Sequence, residues 1–152
     1  MNIEIISIGK FRNSPQKEIF ELYKKRCSWN IKLKELEAKN LSNPAIVKEK
    51  EGELILAAIP ASAKIIVLDE AGKSLSSKEF AGLIQNFRNN SVSNLAFIIG
   101  GADGTSTKVQ QKADVILSLG KITFPHMMVR SILSEQLYRA FSIINNHPYH
   151  RE

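Results

Sequence analysis

Two short runs are apolar at every position, Ile65-Ile66-Val67-Leu68 and Leu95-Ala96-Phe97-Ile98-Ile99; a third, Val115-Ile116-Leu117-Ser118-Leu119, is interrupted only by a serine. Side chains along a strand point alternately to opposite faces, so a sheet with one wet face shows apolar residues at every second position. Runs without that alternation fit strands covered on both faces, as in parallel sheets flanked by helices.

The segments between the runs carry helical spacing. Pro15 to Arg26 carries Ile19, Phe20, Leu22 and Tyr23 at helical spacing, and Ser14 before Pro15 matches a helix start with proline in the first turn. Pro44 to Ile59 has Ile46, Val47, Leu54, Ile55 and Ala58 on its apolar side and is closed by Pro60. Ser76 and Glu79 have capping-box spacing at the head of a helix reaching Phe87. A short helix is expected over Thr105–Ala113 and a long one over Met127–Ile144, with strands at Ile3–Ile8 and Ile31–Leu36 and a turn at Ala71-Gly72-Lys73-Ser74. Alternating strands and helices predict an α/β fold, a mainly parallel sheet flanked by helices, in one domain spanning 1–152. In such sheets ligands bind beyond the carboxyl ends of the strands. Three segments occupy those ends: Leu68-Asp69-Glu70, Gly100-Gly101-Ala102-Asp103-Gly104, and Leu119 to His126.

Several function classes are disfavoured. The G-G-x-x-G spacing after Ile99 is neither the dinucleotide fingerprint nor a phosphate-cradling loop ending in Gly-Lys-Ser/Thr, which argues against nicotinamide cofactors and nucleoside triphosphates. One cysteine, Cys27, permits no internal disulfide, fits a reducing cytoplasm, and reads as a small apolar filler. No apolar stretch approaches the roughly 20 residues of a membrane span. His147 and His150 are three apart, but Pro148 lies between them and no convincing third ligand follows, so no metal is expected. A net charge of +6, with Lys10, Arg12, Lys17, Lys24, Lys25, Arg26, Lys32 and Lys34 in the first third, suits a polyanionic partner or a solvated basic surface.

Taken together, Val67-Leu68-Asp69-Glu70-Ala71-Gly72-Lys73, Phe97 to Gly104, Leu119 to Ile143 and the terminal Asn146-His147-Pro148-Tyr149-His150-Arg151-Glu152 resemble the RlmH family, ribosomal RNA large-subunit methyltransferases of the SPOUT class. The likeness covers the whole chain and is strongest from Gly100 onward; Ile3–Gly9 and Glu51-Gly52-Glu53 also fit. The resemblance implies a SPOUT-type α/β domain with a C-terminal trefoil knot, a homodimer, and S-adenosyl-L-methionine as methyl donor. It implies methylation at N3 of a pseudouridine in large-subunit ribosomal RNA of assembled ribosomes. Carried over by residue, cofactor contacts fall on Leu68, Gly100, Leu119, Gly120, Lys121, Ile122, Thr123 and Phe124; Gly120 stands where family members often carry serine. Rival readings are a non-catalytic ribosome- or RNA-binding factor and a SPOUT methyltransferase acting on transfer RNA.

The sulfonium already activates the methyl group, so the protein's tasks are to align the reactants and to manage the N3 proton and the charge left on the base. The terminal motif offers catalytic candidates: His150 as general base, Arg151 as a cationic donor, Tyr149 as a stacking or hydrogen-bonding group. Alternatively Arg151 favours the N3 anion and water takes the proton; the sequence leaves both open. His126 is expected to face the cofactor or shape the start of the last helix. Arg130 and Arg139 are expected to meet RNA, the cofactor carboxylate or a partner subunit.

Overall fold

The computed structural model describes residues 1–39 and 41–151, so Glu152, the last residue of the expected domain, lies outside it. The elements in chain order are β1 (Asn2–Ile8), α1 (Pro15–Arg26), β2 (Asn30–Leu36), α2 (Pro44–Ala58), β3 (Lys64–Ser74), α3 (Ser77–Asn89), β4 (Asn94–Ile99), α4 (Thr107–Lys112), β5 (Val115–Ser118) and α5 (His126–Ile144). The strands form one sheet in the order β2-β1-β4-β3-β5, every neighbouring pair parallel.

The uninterrupted apolar runs supply two cores. In β4, Leu95, Phe97 and Ile99 face one side, where they meet Phe20 of α1, Phe80 and Ile84 of α3, and Leu133 and Leu137 of α5. Ala96 and Ile98 face the other, with Ile55 and Ala58 of α2 and Val109 of α4. In β1, Ile3 and Ile5 belong to the first core and Ile6 and Ile8 to the second. Cys27 is buried, and burial pushes its thiol up to about 11, as befits a packing residue.

Local chemistry sets the helix ends as the sequence anticipates. Ser14 Oγ accepts from Lys17 N at 3.3 Å. Ser76 accepts from Glu79 N while Glu79 accepts from Ser76 N, closing the capping box. Ile46 departs from expectation: it is 55% exposed, because the covered face of α2 runs instead through Gly52, Ile55 and Ala58.

The turn expected at Ala71–Ser74 requires correction. Strand β3 continues to Ser74, and its pairing with β5 breaks after Leu68 and resumes at Lys73 opposite Leu117. The intervening residues bulge out, with Asp69 Oδ1 accepting from Ala71 N at 2.9 Å. Gly72 makes this possible: a Cβ there would lie 2.7–2.8 Å from the Leu117 and Ile116 backbone. The bulge turns Asp69 and Glu70 toward the carboxyl edge of the sheet, where the strand order folds back on itself twice around β3.

Candidate functional site

At that edge lies a cavity of about 580 Å³, within the ~300–1,000 Å³ usual for small-molecule sites. Its walls are the bulge of β3 and the segments following β4 and β5, joined by His126 and Val129 from α5. Leu68, Gly100, Leu119, Gly120, Ile122, Thr123 and Phe124 all line it; Lys121 does not, and is exposed.

Close backbone packing shapes the wall that follows β4. A Cβ on Gly100 would sit 2.8 Å from the carbonyl carbon of Gly104 and 2.9 Å from its oxygen, so the loop closes only over glycine. Gly104 N donates to Gly101 O at 3.1 Å and locks that closure. On the third wall, Ser118 explains the polar interruption of its apolar run. Its hydroxyl donates to Gly120 O at 2.7 Å and accepts from Gly120 N at 3.2 Å, pinning the loop while Gly120 adopts a φ of 140°. Across the opening, Thr123 Oγ1 donates to Glu70 Oε2 at 3.3 Å.

The cavity is acidic within a basic protein. Asp69, Glu70 and Asp103 line it. Glu51 of α2 stands behind the glycine loop, where a Cβ on Gly101 would meet its carboxylate at 2.6 Å. Burial, and then the neighbouring Asp103, raise the Glu51 carboxyl above its ordinary value. Asp69 Oδ2 accepts from Gln110 Nε2 at 3.3 Å, which orients it from α4. Asp69, Glu70 and Asp103 sit in the strand-end segments picked out by sheet logic and Glu51 in α2, and only the three-dimensional arrangement brings them together.

His126 begins α5 and faces the cavity. Burial, and secondarily the charge of Arg130, hold its imidazole below the ordinary value, favouring the neutral ring; its Nδ1 is buried with no hydrogen-bond partner. Arg130 contradicts expectation. It is wholly buried and meets neither solvent nor cavity. Its Nη2 donates to Ile8 O at 2.8 Å and Gly9 O at 2.9 Å, and its Nη1 to Glu35 Oε1 at 3.0 Å, with the guanidinium 5.0 Å from the Phe11 ring centre. Glu35 also accepts from Phe11 N, so one ion pair ties the ends of β1 and β2 to the first turns of α5.

The terminal candidates lie elsewhere. Tyr149 packs on Tyr138 with ring centres 4.7 Å apart, donates to Glu135 Oε1 at 3.0 Å, and shares a 3.1 Å hydrogen bond with the Tyr23 hydroxyl. His150 Nδ1 is 3.2 Å from Arg139 Nη1, and Arg151 is exposed. Glu135 is nine residues beyond His126, roughly 13 Å along the helix axis. Within the chain the strand-end candidates therefore converge, while Tyr149, His150 and Arg151 are absent from the cavity lining. Arg139 faces this tail rather than the cavity. Among the described residues, no group of three or more His, Cys, Asp or Glu is placed to hold a metal ion.

A family model described as "Predicted SPOUT methyltransferase" matches residues 1–150. The chain belongs to the SPOUT methyltransferase family. Among its relatives, a protein of Paramagnetospirillum magneticum named ribosomal RNA large subunit methyltransferase H is 43% identical over 152 residues, covering 99% of both chains. One of the same name from Clostridium botulinum is 43% identical over 159 residues, covering 99% of this chain and all of its own. The structure of a probable methylase family protein from Haemophilus influenzae superposes with a TM-score of 0.60 at 14% identity, covering 99% of this chain and 70% of that one; it supports the fold. No helix among the described residues is long and apolar enough to cross a membrane.

Proposed function

We propose that this SPOUT methyltransferase acts in the cytoplasm, transferring the methyl group of S-adenosyl-L-methionine to N3 of a pseudouridine in large-subunit ribosomal RNA of assembled ribosomes. The observation that carries the reading is the convergence of Leu68, Gly100, Leu119, Gly120, Ile122, Thr123 and Phe124 on one acidic cavity. Its lining fits the donor. Asp69, Glu70 and Asp103 complement a sulfonium cation, Leu68, Ile122, Phe124 and Val129 offer apolar surface to a purine, and the glycine loop lets backbone approach closely. The donor supplies a methyl group activated by positive charge, so the chain need provide neither nucleophile nor metal.

What remains for the protein is alignment, worth roughly 7–11 kcal/mol when complete, and stabilisation of the charge left on the base. Tyr149, His150 and Arg151 are the groups suited to the second task. Because Tyr149 and His150 rest beside α1 and α5 and Arg151 follows them, a second copy is the means of bringing the tail to a cavity, and the homodimer belongs to this proposal. Two large apolar side chains exposed on α1, Ile19 at 44% and Leu22 at 45%, support such an interface. We include the trefoil knot in the same reading, with the segment after β5 threading the loop that follows β4.

Incubating the protein with methyl-labelled donor and either intact ribosomes or free ribosomal RNA, then mapping the label by mass spectrometry, tests the proposal. One pseudouridine labelled at N3, with intact ribosomes preferred, is expected. Label in transfer RNA alone, or none with any RNA, contradicts it.

A further inference from the structure

The contact between Arg139 and His150 fixes more than the position of the tail. A guanidinium has five N–H donors and no acceptor, so in the 3.2 Å contact Arg139 Nη1 donates and His150 Nδ1 accepts. An Nδ1 that accepts carries no proton, and a neutral imidazole then bears its single proton on Nε2.

The arginine is itself firmly held. Its Nε donates to Glu135 Oε1 at 3.0 Å, its Nη2 donates to the same oxygen, and its guanidinium carbon lies 4.8 Å from the Tyr149 ring centre. Glu135 Oε1 also receives the Tyr149 hydroxyl, and Gln136 Nε2 donates to Glu135 Oε2 at 2.7 Å. Burial, with the Tyr23 and Glu135 contacts, raises the Tyr149 phenol, which stays protonated as a donor. The network therefore has one sense: Tyr149 and Arg139 donate to Glu135, and Arg139 passes a donor on to His150.

We propose that Arg139, oriented by Glu135, is a positioning residue that holds His150 as the Nε2–H tautomer, so that His150 offers the methyl-accepting nucleobase a hydrogen-bond donor and not a base. The inference rests on the function proposed above. In the transfer, the bond from N3 to the methyl carbon forms as the carbon–sulfur bond breaks, and that bond's electron pair stays with sulfur. The N3 proton passes to water. His150 Nε2–H donates to a ring carbonyl oxygen, where negative charge gathers as the proton leaves. Of the two routes left open for the proton, to His150 or to water, the tautomer selects water, and it gives His150 a donor role beside that of Arg151, with Tyr149 and Arg139 absorbed into the machinery that aims it.

Two measurements on the intact protein test this. With histidine-selective nitrogen-15 labelling and His150 assigned by its loss in His150→Gln, long-range proton–nitrogen correlation should show a pyridine-type Nδ1 and a pyrrole-type Nε2. Arg139→Met should shift both signals toward the exchange-averaged values of free imidazole, and Glu135→Gln should move them the same way. A pyridine-type Nε2 in the unaltered protein overturns the proposal, as do signals indifferent to both substitutions. In single-turnover methyl transfer to ribosomes, His150→Gln, which keeps an N–H donor, should stay within about tenfold of the parent, while His150→Ala should fall about a hundredfold or more. Equal losses in the two variants would mean a general base and overturn the donor role. A parent protein that methylates no ribosomal RNA would end the functional proposal instead, and the nitrogen spectrum would still decide the tautomer.

Discussion

Replacing Arg130 with methionine removes the largest fully buried side chain while leaving most of its volume filled. The substitution deletes three charge-assisted hydrogen bonds, to Ile8 O, Gly9 O and Glu35. Two carbonyls then lose the arginine donor, at up to about 1–3 kcal/mol each, because methionine offers none; Ile8 O keeps a long bond from Ser7 Oγ at 3.4 Å, and Gly9 O is part-buried. Glu35 suffers less, since its side chain is 30% exposed and it still accepts from Phe11 N. The expected loss is about 3–5 kcal/mol, the range for breaking a buried pair from one side and a large share of the ~5–15 kcal/mol that stabilises a typical domain. Part of that loss reflects the charge stranded on Glu35. Arg130 carries its own desolvation cost, visible as a guanidinium held below its ordinary value by burial, so Arg130→Met with Glu35→Gln should lose less than the two single changes together. Urea unfolding at fixed protein concentration, followed by fluorescence of the buried Trp29, measures each variant. Lys10→Ala is the comparison: it removes an exposed pair with Glu37 and should cost under about 1 kcal/mol. An Arg130→Met loss as small as that of Lys10→Ala would refute the role assigned to the buried pair.

Gly100→Ala forces a methyl into the Gly104 backbone and should weaken S-adenosyl-L-methionine binding at least tenfold in calorimetric titration, with the fold retained. Gly82→Ala, within α3 and with nothing inside 4 Å of the new methyl, should instead stabilise the protein by about 0.5–1 kcal/mol in urea unfolding. His126 has a pKa depressed in the folded state, so the unfolded chain binds its proton more readily. Its contribution is present above the ordinary histidine pKa of about 6.5 and is lost as pH falls through the lower folded value; His126→Asn should flatten the stability–pH slope across that acidic window.

Much of the architecture is legible in the sequence because its signals are local. Runs without alternation report two covered faces, and Ser14 and Ser76 mark helix starts whose hydrogen bonds the structure contains. Sheet logic also points to the strand ends that become the cavity walls. What escapes are features that depend on distant partners. Ala71–Ser74 has the composition of a turn, and only β5 alongside makes Lys73 and Ser74 a strand resumed after a bulge. An arginine on an amphipathic helix ordinarily reaches solvent. Arg130 does not, because two carbonyls at the end of β1 and the Glu35 carboxylate, some 95 residues away, are waiting for it. Asp69, Asp103 and Glu51 are separate acidic residues in the sequence and become one electrostatic environment only in the fold. The tail was legible as a cluster of functional groups but not as a network with a direction, since that depends on Glu135 and Arg139 meeting it.

A crystal structure of the protein grown with S-adenosyl-L-methionine tests the central claim most directly. The ligand should lie in the cavity against the backbone of Gly100 and of residues 119–124, with its sulfonium on the side of the carboxylates. Density for the ligand at any other place, or a cavity left empty at saturating concentration, would contradict the account.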